Sequence, residues 1–432
     1  MKILLVTWYF PPLNDVAALR TGAMAKFLEG RGHTVHVLTA ARIGRDASLN
    51  IPLPEEQVIR TAWFDVDRLK YMHAESAPLS TEAEVSPLRQ EQRRRPFAGL
   101  RAAATQAYLN LVHIPDRQIG WYPFAVRFGR EIMKRQGIEL VYASGPSFTS
   151  FLVAKYLSTK FRVPWVAEYR DAWSDDFYKG RAAWRNPIDR LFEASTIRSA
   201  AGIVALSEPW ADFYRKRYGK PAIAVYNGFD VDNVAYSRRQ PDPREPVSIT
   251  YMGVLYGALR DPSPLYQAIR RSNLTPLDVQ VVYYGPSEDQ VRPLAEKLGV
   301  SSHVFVKPRV AFAESLRIQR ESDVLLLLQA PDDPRNVPAK LFEYFASGRP
   351  ILGLGLDNGV PAKLIEERAA GVYVSDPDAI ARQLGRWVEE KRKTGLVADV
   401  APTARVGLSR SEQLQSLDSF LARIRAGQTE SA

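Results

Sequence analysis

The chain has no cysteine and only five histidines among its 432 residues. The first absence excludes disulfides, zinc–thiolate sites, iron–sulfur clusters and cysteine nucleophiles. Nothing then depends on an oxidising compartment, and a cytoplasmic protein is the expectation. No two histidines stand at metal-ligand spacing on a helix, so no metal site is expected. Long apolar runs are missing too: none approaches the roughly 18 residues of a membrane-crossing helix. The opening run from Met1 to Thr7 is too short for the apolar segment of a secretory signal and reads as a buried strand. Long blocks of lysine and arginine are also absent. The net charge of +10 is spread along the chain. It implies an anionic partner, a phosphorylated small molecule or an acidic membrane face. A nucleic-acid-binding protein would want basic patches interleaved with aromatics, and no nucleic-acid partner is expected.

What is present is ordinary globular composition, 46% apolar and 25% charged, and enough length for two domains at roughly 100–200 residues each. Ile3–Val6 is a continuous apolar run, as in a parallel strand covered on both faces. A helical pattern follows through Ala18, Met24, Ala25, Phe27 and Leu28, ended by Gly30 and Gly32, and then a strand, Thr34–Thr39. This is a β-loop-α-β unit of the doubly wound type. Residues 41–115 break the alternation and read as an insertion, in which Arg89, Arg93, Arg94 and Arg95 precede an amphipathic pattern at Phe97, Leu100, Ala104, Ala107, Tyr108 and Leu111. Arginines beside an apolar face suit an anionic lipid surface, and equally a helix packed on its own domain.

The alternation resumes with strands at Leu140–Ala143, Pro164–Ala167, Gly202–Leu206 and Ala222–Val225, and helices over 146–160, 189–200 and 210–217. Pro241, Pro243 and Pro246 give 238–246 a linker composition. A second series of strands begins at Val247 and recurs at Val279, Val304, Val324, Ile351 and Val372. The expected division is 1–235, 236–405 and a terminal helix in 406–432. That helix has a capping box, Ser409 with Glu412, and an apolar face at Leu414, Leu417, Leu421 and Ile424. The pattern leaves open which half it packs on, the N-terminal domain being one destination.

Ligands of doubly wound domains bind at the carboxyl ends of the strands. One segment there is specific: Pro338-Ala-Lys-Leu-Phe-Glu-Tyr-Phe-Ala-Ser-Gly-Arg-Pro350, after the apolar run Asp323–Leu328. Pro338 near a first helical turn leaves the amides of Ala339 and Lys340 to face an anion, with the helix dipole behind them. Glu343 lies one turn further in, and Gly348 allows a tight turn into the next strand.

This segment resembles the nucleotide-sugar site of the retaining glycosyltransferases of family 4. The resemblance implies the GT-B fold: α/β, two doubly wound Rossmann-like domains facing a central cleft, the N-terminal one on the acceptor side and the C-terminal one holding the donor. The glutamate matching Glu343 binds the donor ribose in that family. The family has a second glutamate where this chain has Arg335, which leaves the sugar contacts open, with Asn336 or Asp333 as substitutes. The loop Trp8–Pro12 is similar to the family's first loop, but Asn14-Asp15 stands where a Gly-Gly pair is usual, and Arg20 follows on the next helix. Ile114-Pro-Asp116, Gly120-Trp121, Gly145-Pro-Ser147 and Glu168-Tyr-Arg-Asp-Ala-Trp173 resemble a bacterial cell-surface polysaccharide subgroup. Arg170 falls where many members have a histidine. Asn227-Gly-Phe-Asp230 resembles the hinge, and Gly253, Tyr256, Gly257 and Arg260 resemble the first loop of the second half.

The resemblance therefore implies a metal-independent, retaining enzyme of the hexosyltransferase type, working on cell-surface glycan. Arg170, Asp171, Arg260 and Lys340 are the catalytic candidates. Gly253, Arg260, Lys307, Arg309, Val310, Arg335, Asn336, Ala339, Lys340 and Glu343 are the donor-binding ones. Asn14, Asp15, Arg20 and Ser147 are placed on the acceptor side. The partners implied are a UDP- or GDP-linked sugar as co-substrate, with no further cofactor, and a saccharide or lipid-linked acceptor. An anionic membrane surface is a further expected partner, on the inner face of the cell membrane. Two rival classes remain: a nucleotide-sugar epimerase of the same fold, which needs acid–base carboxylates and histidines, and a sugar-nucleotide-binding relative without activity.

Overall fold

The computed structural model describes residues 1–41, 47–67, 112–175, 183–230, 240–255, 259–330 and 333–428. The arginines at 89–95 and the amphipathic positions from Phe97 to Leu111 lie outside these, as do Tyr256 and Gly257. The chain forms two compact units, Met1–Val225 with Leu414–Ala432, and Tyr226–Gln413.

In the first unit β1 (Lys2–Thr7), α1 (Val16–Gly30) and β2 (Thr34–Ala40) open the fold. A strand not anticipated follows: β3 (Val58–Thr61), within the stretch read as an insertion, pairs parallel with β2 in the register Val37↔Val58. Its few residues, interrupted by Arg60, carry too little periodicity to stand out from a loop. Next come α2 (Tyr122–Gln136), β4 (Leu140–Gly145), α3 (Thr149–Phe161) and β5 (Trp165–Tyr169). The unit continues with α4 (Asn186–Ile197), β6 (Gly202–Ala205), α5 (Glu208–Tyr218) and β7 (Ala222–Ala224). The seven strands run in the order β3-β2-β1-β4-β5-β6-β7, with parallel pairs throughout. The order reverses between β1 and β4, which makes their carboxyl ends the place for a ligand.

Helix α3 begins later than the apolar pattern implied. Asp116 accepts hydrogen bonds from the amides of Phe148 and Thr149 and from the hydroxyls of Ser147 and Thr149. It satisfies the helix's leading donors, and so holds the residues before Thr149 outside the helix.

The second unit repeats the plan with β8 (Val247–Met252), α6 (Ser263–Ser272), β9 (Val279–Tyr284), α7 (Glu288–Lys297), β10 (Val304–Lys307) and α8 (Phe312–Glu321). It continues with β11 (Val324–Leu328), α9 (Lys340–Ser347), β12 (Ile351–Leu354), α10 (Val360–Glu367), β13 (Gly371–Tyr373) and α11 (Pro377–Thr394). Its six strands are ordered β10-β9-β8-β11-β12-β13, with the switch between β8 and β11, where Ile249 faces Val324. The core between sheet and helices is Ile249, Tyr251, Leu265, Val281, Leu326 and Leu384.

The last helix, α12 (Arg410–Arg425), starts on the capping box: the Ser409 amide donates to Glu412 at 3.0 Å, and the Glu412 amide donates back to the Ser409 hydroxyl at 3.3 Å. Beyond Gln413 it belongs to the first unit, where Leu417, Leu421 and Ile424 pack with Ile3, Leu5, Val166 and Val204. Asn227–Asp230 grips the helix start: the Arg410 amide donates to Phe229 O at 2.8 Å, and its guanidinium pairs with Asp230 at 2.9 Å. Gly228 sits at φ 64°, and a β-carbon there would meet the Arg410 backbone at 2.7 Å. No helix among the described residues is long and apolar enough to cross a membrane.

Candidate functional site

At the switch point of the second sheet, β8 ends in Tyr251-Met252 and turns at Gly253, whose φ of 112° suits glycine alone. The Gly253 amide donates to Tyr284 O at the end of β9, at 2.9 Å. Lys340, the first residue of α9, reaches this turn. Its ammonium donates to Met252 O at 2.5 Å and lies 4.1 Å from the centroid of the Tyr251 ring. A β-carbon on Gly253 would come within 3.1 Å of the Lys340 Nζ, so the glycine also makes room for the lysine. Burial, and then the charge of Arg260, pull the Lys340 ammonium down to about 7. Arg260 donates from Nη1 to Val254 O at 2.7 Å and to the Tyr251 hydroxyl at 3.3 Å.

The start of α9 is built as its sequence implies. The Leu341 and Phe342 amides turn back onto the carbonyls of Pro338 and Ala339, at 3.0 and 3.1 Å, which puts Ala339 and Lys340 at the head of the helix. One turn on, half-buried Glu343 accepts a hydrogen bond from Gln319 Nε2 of α8 at 3.2 Å. Burial pushes its carboxyl above the usual range, against the opposing pull of Gln319, Lys340 and Arg410. Gly348 closes the helix at φ 71°.

Gly253, Arg260, Ala339, Lys340 and Glu343 thus stand around one strand end. Other donor candidates are placed differently. Lys307, the last residue of β10, and Arg309 beyond it are exposed, and Val310 packs on the core beneath α9. Arg335 turns onto Asp333, donating to it from both its amide and its Nε at 2.9 Å. Asp333 is buried, and its carboxylate is committed to that pair. The Asn336 carbonyl accepts from the Gln329 amide at 3.4 Å, and Gln329 Oε1 takes the Tyr373 hydroxyl at 2.7 Å.

In the first unit, Asn14 is exposed and Asp15 caps α1, accepting from the Ala17 amide at 2.8 Å. Arg20 was expected on the acceptor side as a helix charge. It is instead buried in an ion pair with Glu168, at 2.9 Å, and its Nη2 also donates to Val225 O at 2.9 Å. Burial pushes the Glu168 carboxyl up, but Arg20, the Ser144 hydroxyl and Arg170 outweigh it and hold it below the usual range. Ser147 is likewise buried, on Asp116. Arg170 follows β5, donates to Pro146 O and lies 5.8 Å over the Tyr9 ring. Asp171 beside it is exposed.

Residues 17–228 match the glycosyl transferase 4-like domain. The matched residues make up most of the first unit, which thus carries a glycosyl transferase 4-like domain. The fold of the whole chain agrees with solved structures. HepE of Anabaena, in complex with UDP-glucose, superposes with a TM-score of 0.61 at 15% identity, covering 98% of this chain and 99% of HepE. The lipopolysaccharide outer core galactosyltransferase WaaB, apo form, gives 0.57 at 14% identity, covering 98% and 99%. A protein described as a UDP-N-acetylglucosamine 2-epimerase of Listeria monocytogenes gives 0.52 at 11%, covering 100% and 99%. These likenesses establish the GT-B fold. No curated protein matches the sequence.

Sequence reasoning passed over Tyr251, Gln319 and Gln329, which shape the second unit's site, and named Glu168 and Asp116 only within motifs, without their hold on Arg20 and Ser147. Tyr251 is next to last in β8 and Gln329 directly follows β11, so their position carried a signal. Gln319 sits on a helix otherwise rich in charge, and only the packing of α8 on α9 brings it to Glu343.

Proposed function

We propose that the chain is a retaining glycosyltransferase that moves a sugar from a UDP- or GDP-linked donor to a saccharide or lipid-linked acceptor in cell-surface glycan synthesis. The observation that carries this reading is the pair of cations, Lys340 and Arg260, set beside the start of α9 at the sheet's switch point. A departing diphosphate is the largest charge that develops in sugar transfer, and preorganised cations and helix amides stabilise it. HepE, which shares the fold, is a complex with UDP-glucose, and WaaB is an outer core galactosyltransferase. Both support a nucleotide-sugar donor and a surface-glycan acceptor.

In this mechanism Glu343 takes the ribose hydroxyls, and Lys340 and Arg260 take the diphosphate. The acceptor hydroxyl attacks from the face the diphosphate leaves and passes its proton to the departing phosphate, so no protein nucleophile is needed. Asp171, exposed after β5, accepts a hydrogen bond from the acceptor, with Arg170 beside it. The protein's own cations supply the positive charge, so the reading needs no metal.

A lipid-linked acceptor has support from α4. Its acids, Asp189 and Glu193, are buried, whereas Trp184 just before it and Ile188 and Leu191 on it are exposed along one helical face, with Arg190 and Arg198 outward. An apolar stripe edged by cations fits an anionic bilayer surface. The fold likeness to the epimerase keeps that class as the second reading. Acceptor-dependent release of free nucleotide separates transfer from it.

The test is a panel of UDP- and GDP-sugars measured by thermal stabilisation, with Glu343→Ala alongside. One base series is expected to raise the melting temperature of the wild type and not of the variant. If no nucleotide or nucleotide-sugar shifts melting, the proposal fails.

A further inference from the structure

We propose that Tyr251 is the positioning residue that sets the spacing of the two donor-side cations, its ring holding Lys340 and its hydroxyl holding Arg260. This deepens the nucleotide-sugar reading of the same site and rests on it.

Tyr251 is the penultimate residue of β8 and is fully buried. Its hydroxyl donates to Val254 O at 2.8 Å and accepts from Arg260 Nη1 at 3.3 Å, so donor and acceptor capacity are both used. Its ring receives the Lys340 ammonium at 4.1 Å from the centroid. The negative face of an aromatic ring attracts a cation more strongly as the pair is desolvated, and here the ring is fully buried and the lysine half-buried.

Lys340 and Arg260 are like charges at one strand end, and after burial Arg260 is the next cause that pulls the lysine down. Something has to hold them together before an anion arrives, and the groups that do so converge on this strand end. Met252 O and the ring take the lysine; Val254 O and the phenol oxygen take the arginine. Tyr251 touches both.

Its own placement is fixed from beneath. The ring packs on Tyr283 with centroids 5.6 Å apart, and Tyr283 is hydrogen-bonded to Tyr266 at 2.9 Å. The next residue is pinned as well, because the Met252 amide donates to the Tyr344 hydroxyl at 3.3 Å. A rigid ring on a central strand spaces two charges more sharply than two flexible side chains can by themselves.

The two functions of the residue come apart by substitution. Tyr251→Phe keeps the ring under Lys340 and removes the phenol's hold on Arg260, which then rests on Val254 O alone of these two acceptors. Tyr251→Leu removes the ring as well, leaving Lys340 on Met252 O. The probes are UDP and GDP, whichever the wild type binds, and the matching nucleoside, which lacks the diphosphate. Tyr251→Phe is expected to weaken diphosphate binding by about tenfold, the loss of one hydrogen bond to a charged group. It leaves the affinity for the nucleoside and the pH dependence unchanged. Tyr251→Leu is expected to weaken diphosphate binding further. It also moves the pH at which affinity begins to fall downward, because the lysine loses the ring that favours its charge.

Equal weakening of nucleoside and diphosphate in Tyr251→Phe, or no weakening of either, overturns the proposal and returns Tyr251 to a core residue. If Tyr251→Leu does not fold, the Phe variant decides on its own. A wild type that binds neither nucleotide removes the nucleotide-sugar reading, and this inference with it. A wild type that binds while Tyr251→Phe behaves as wild type removes the inference alone.

Discussion

Lys340 is held uncomfortably: burial and Arg260 bring it to about 7 from an ordinary 10.5. The free protein therefore loses stability as pH falls through about 7, and regains it as pH rises toward the unfolded lysine's value, because between the two only the unfolded chain keeps that proton. A bound diphosphate reverses the preference, since it favours the charged lysine. Nucleotide binding above pH 7 should then take up a proton, and affinity should fall as pH climbs. Calorimetry in buffers of different ionisation enthalpy reads the uptake directly. Lys340→Met should abolish it, and uptake that persists in that variant assigns the proton elsewhere. Arg20 makes the opposite case, a charge used for structure. Arg20→Met leaves Glu168 buried and unpaired, a loss of about 3–5 kcal/mol for a broken buried pair. Urea unfolding should show it, with most of it recovered in Arg20→Met/Glu168→Leu; no recovery would mean that Arg20 stabilises mainly through Val225 O.

Among the elements, α9 and α12 were the most legible, β3 was the least, and α3 was legible except at its start. In α9 the proline, the glycine and the apolar spacing all agree with one helix, and the amides of Leu341 and Phe342 close its first turn. In α12 the capping box and the apolar face were both readable, but the surface that face covers was not. Only the fold shows that Leu417 and Leu421 reach Ile3 and Val166 of the first sheet. Leu417→Ala should cost about 2–5 kcal/mol as a buried leucine truncation, seen as a lower urea midpoint. A change within error would mean that the helix is not integral to the first unit. The start of α3 was misjudged because its cap, Asp116, lies far away in sequence.

For the molecule as a whole, the net charge of +10 and the outward face of α4 point the same way. The protein should bind phosphatidylglycerol vesicles more tightly than phosphatidylcholine ones, and added salt should weaken that binding, since surface attraction is screened within about 10 Å at ~0.1 M. Ile188→Glu/Leu191→Glu should lose it while keeping nucleotide stabilisation. Equal binding to both vesicle types, or undiminished binding by the variant, removes the membrane role of this face.

The sequence by itself determined the doubly wound class, the tandem halves, and the helix start and glycine turn of the segment from Pro338 to Pro350. Each is written in local periodicity, glycine and proline placement, and spacing within a few turns. The structure alone decided which charges are spent on the fold and which remain for a ligand. Arg20 and Lys340 look alike as helix cations; Glu168, brought in from β5, neutralises the first, while the second rests on the Met252 carbonyl and the Tyr251 ring, with Arg260 pulling its charge down more strongly than Glu343 holds it up. That difference depends on which strand ends meet in space, and contacts between residues so distant in the chain leave no periodic trace in it.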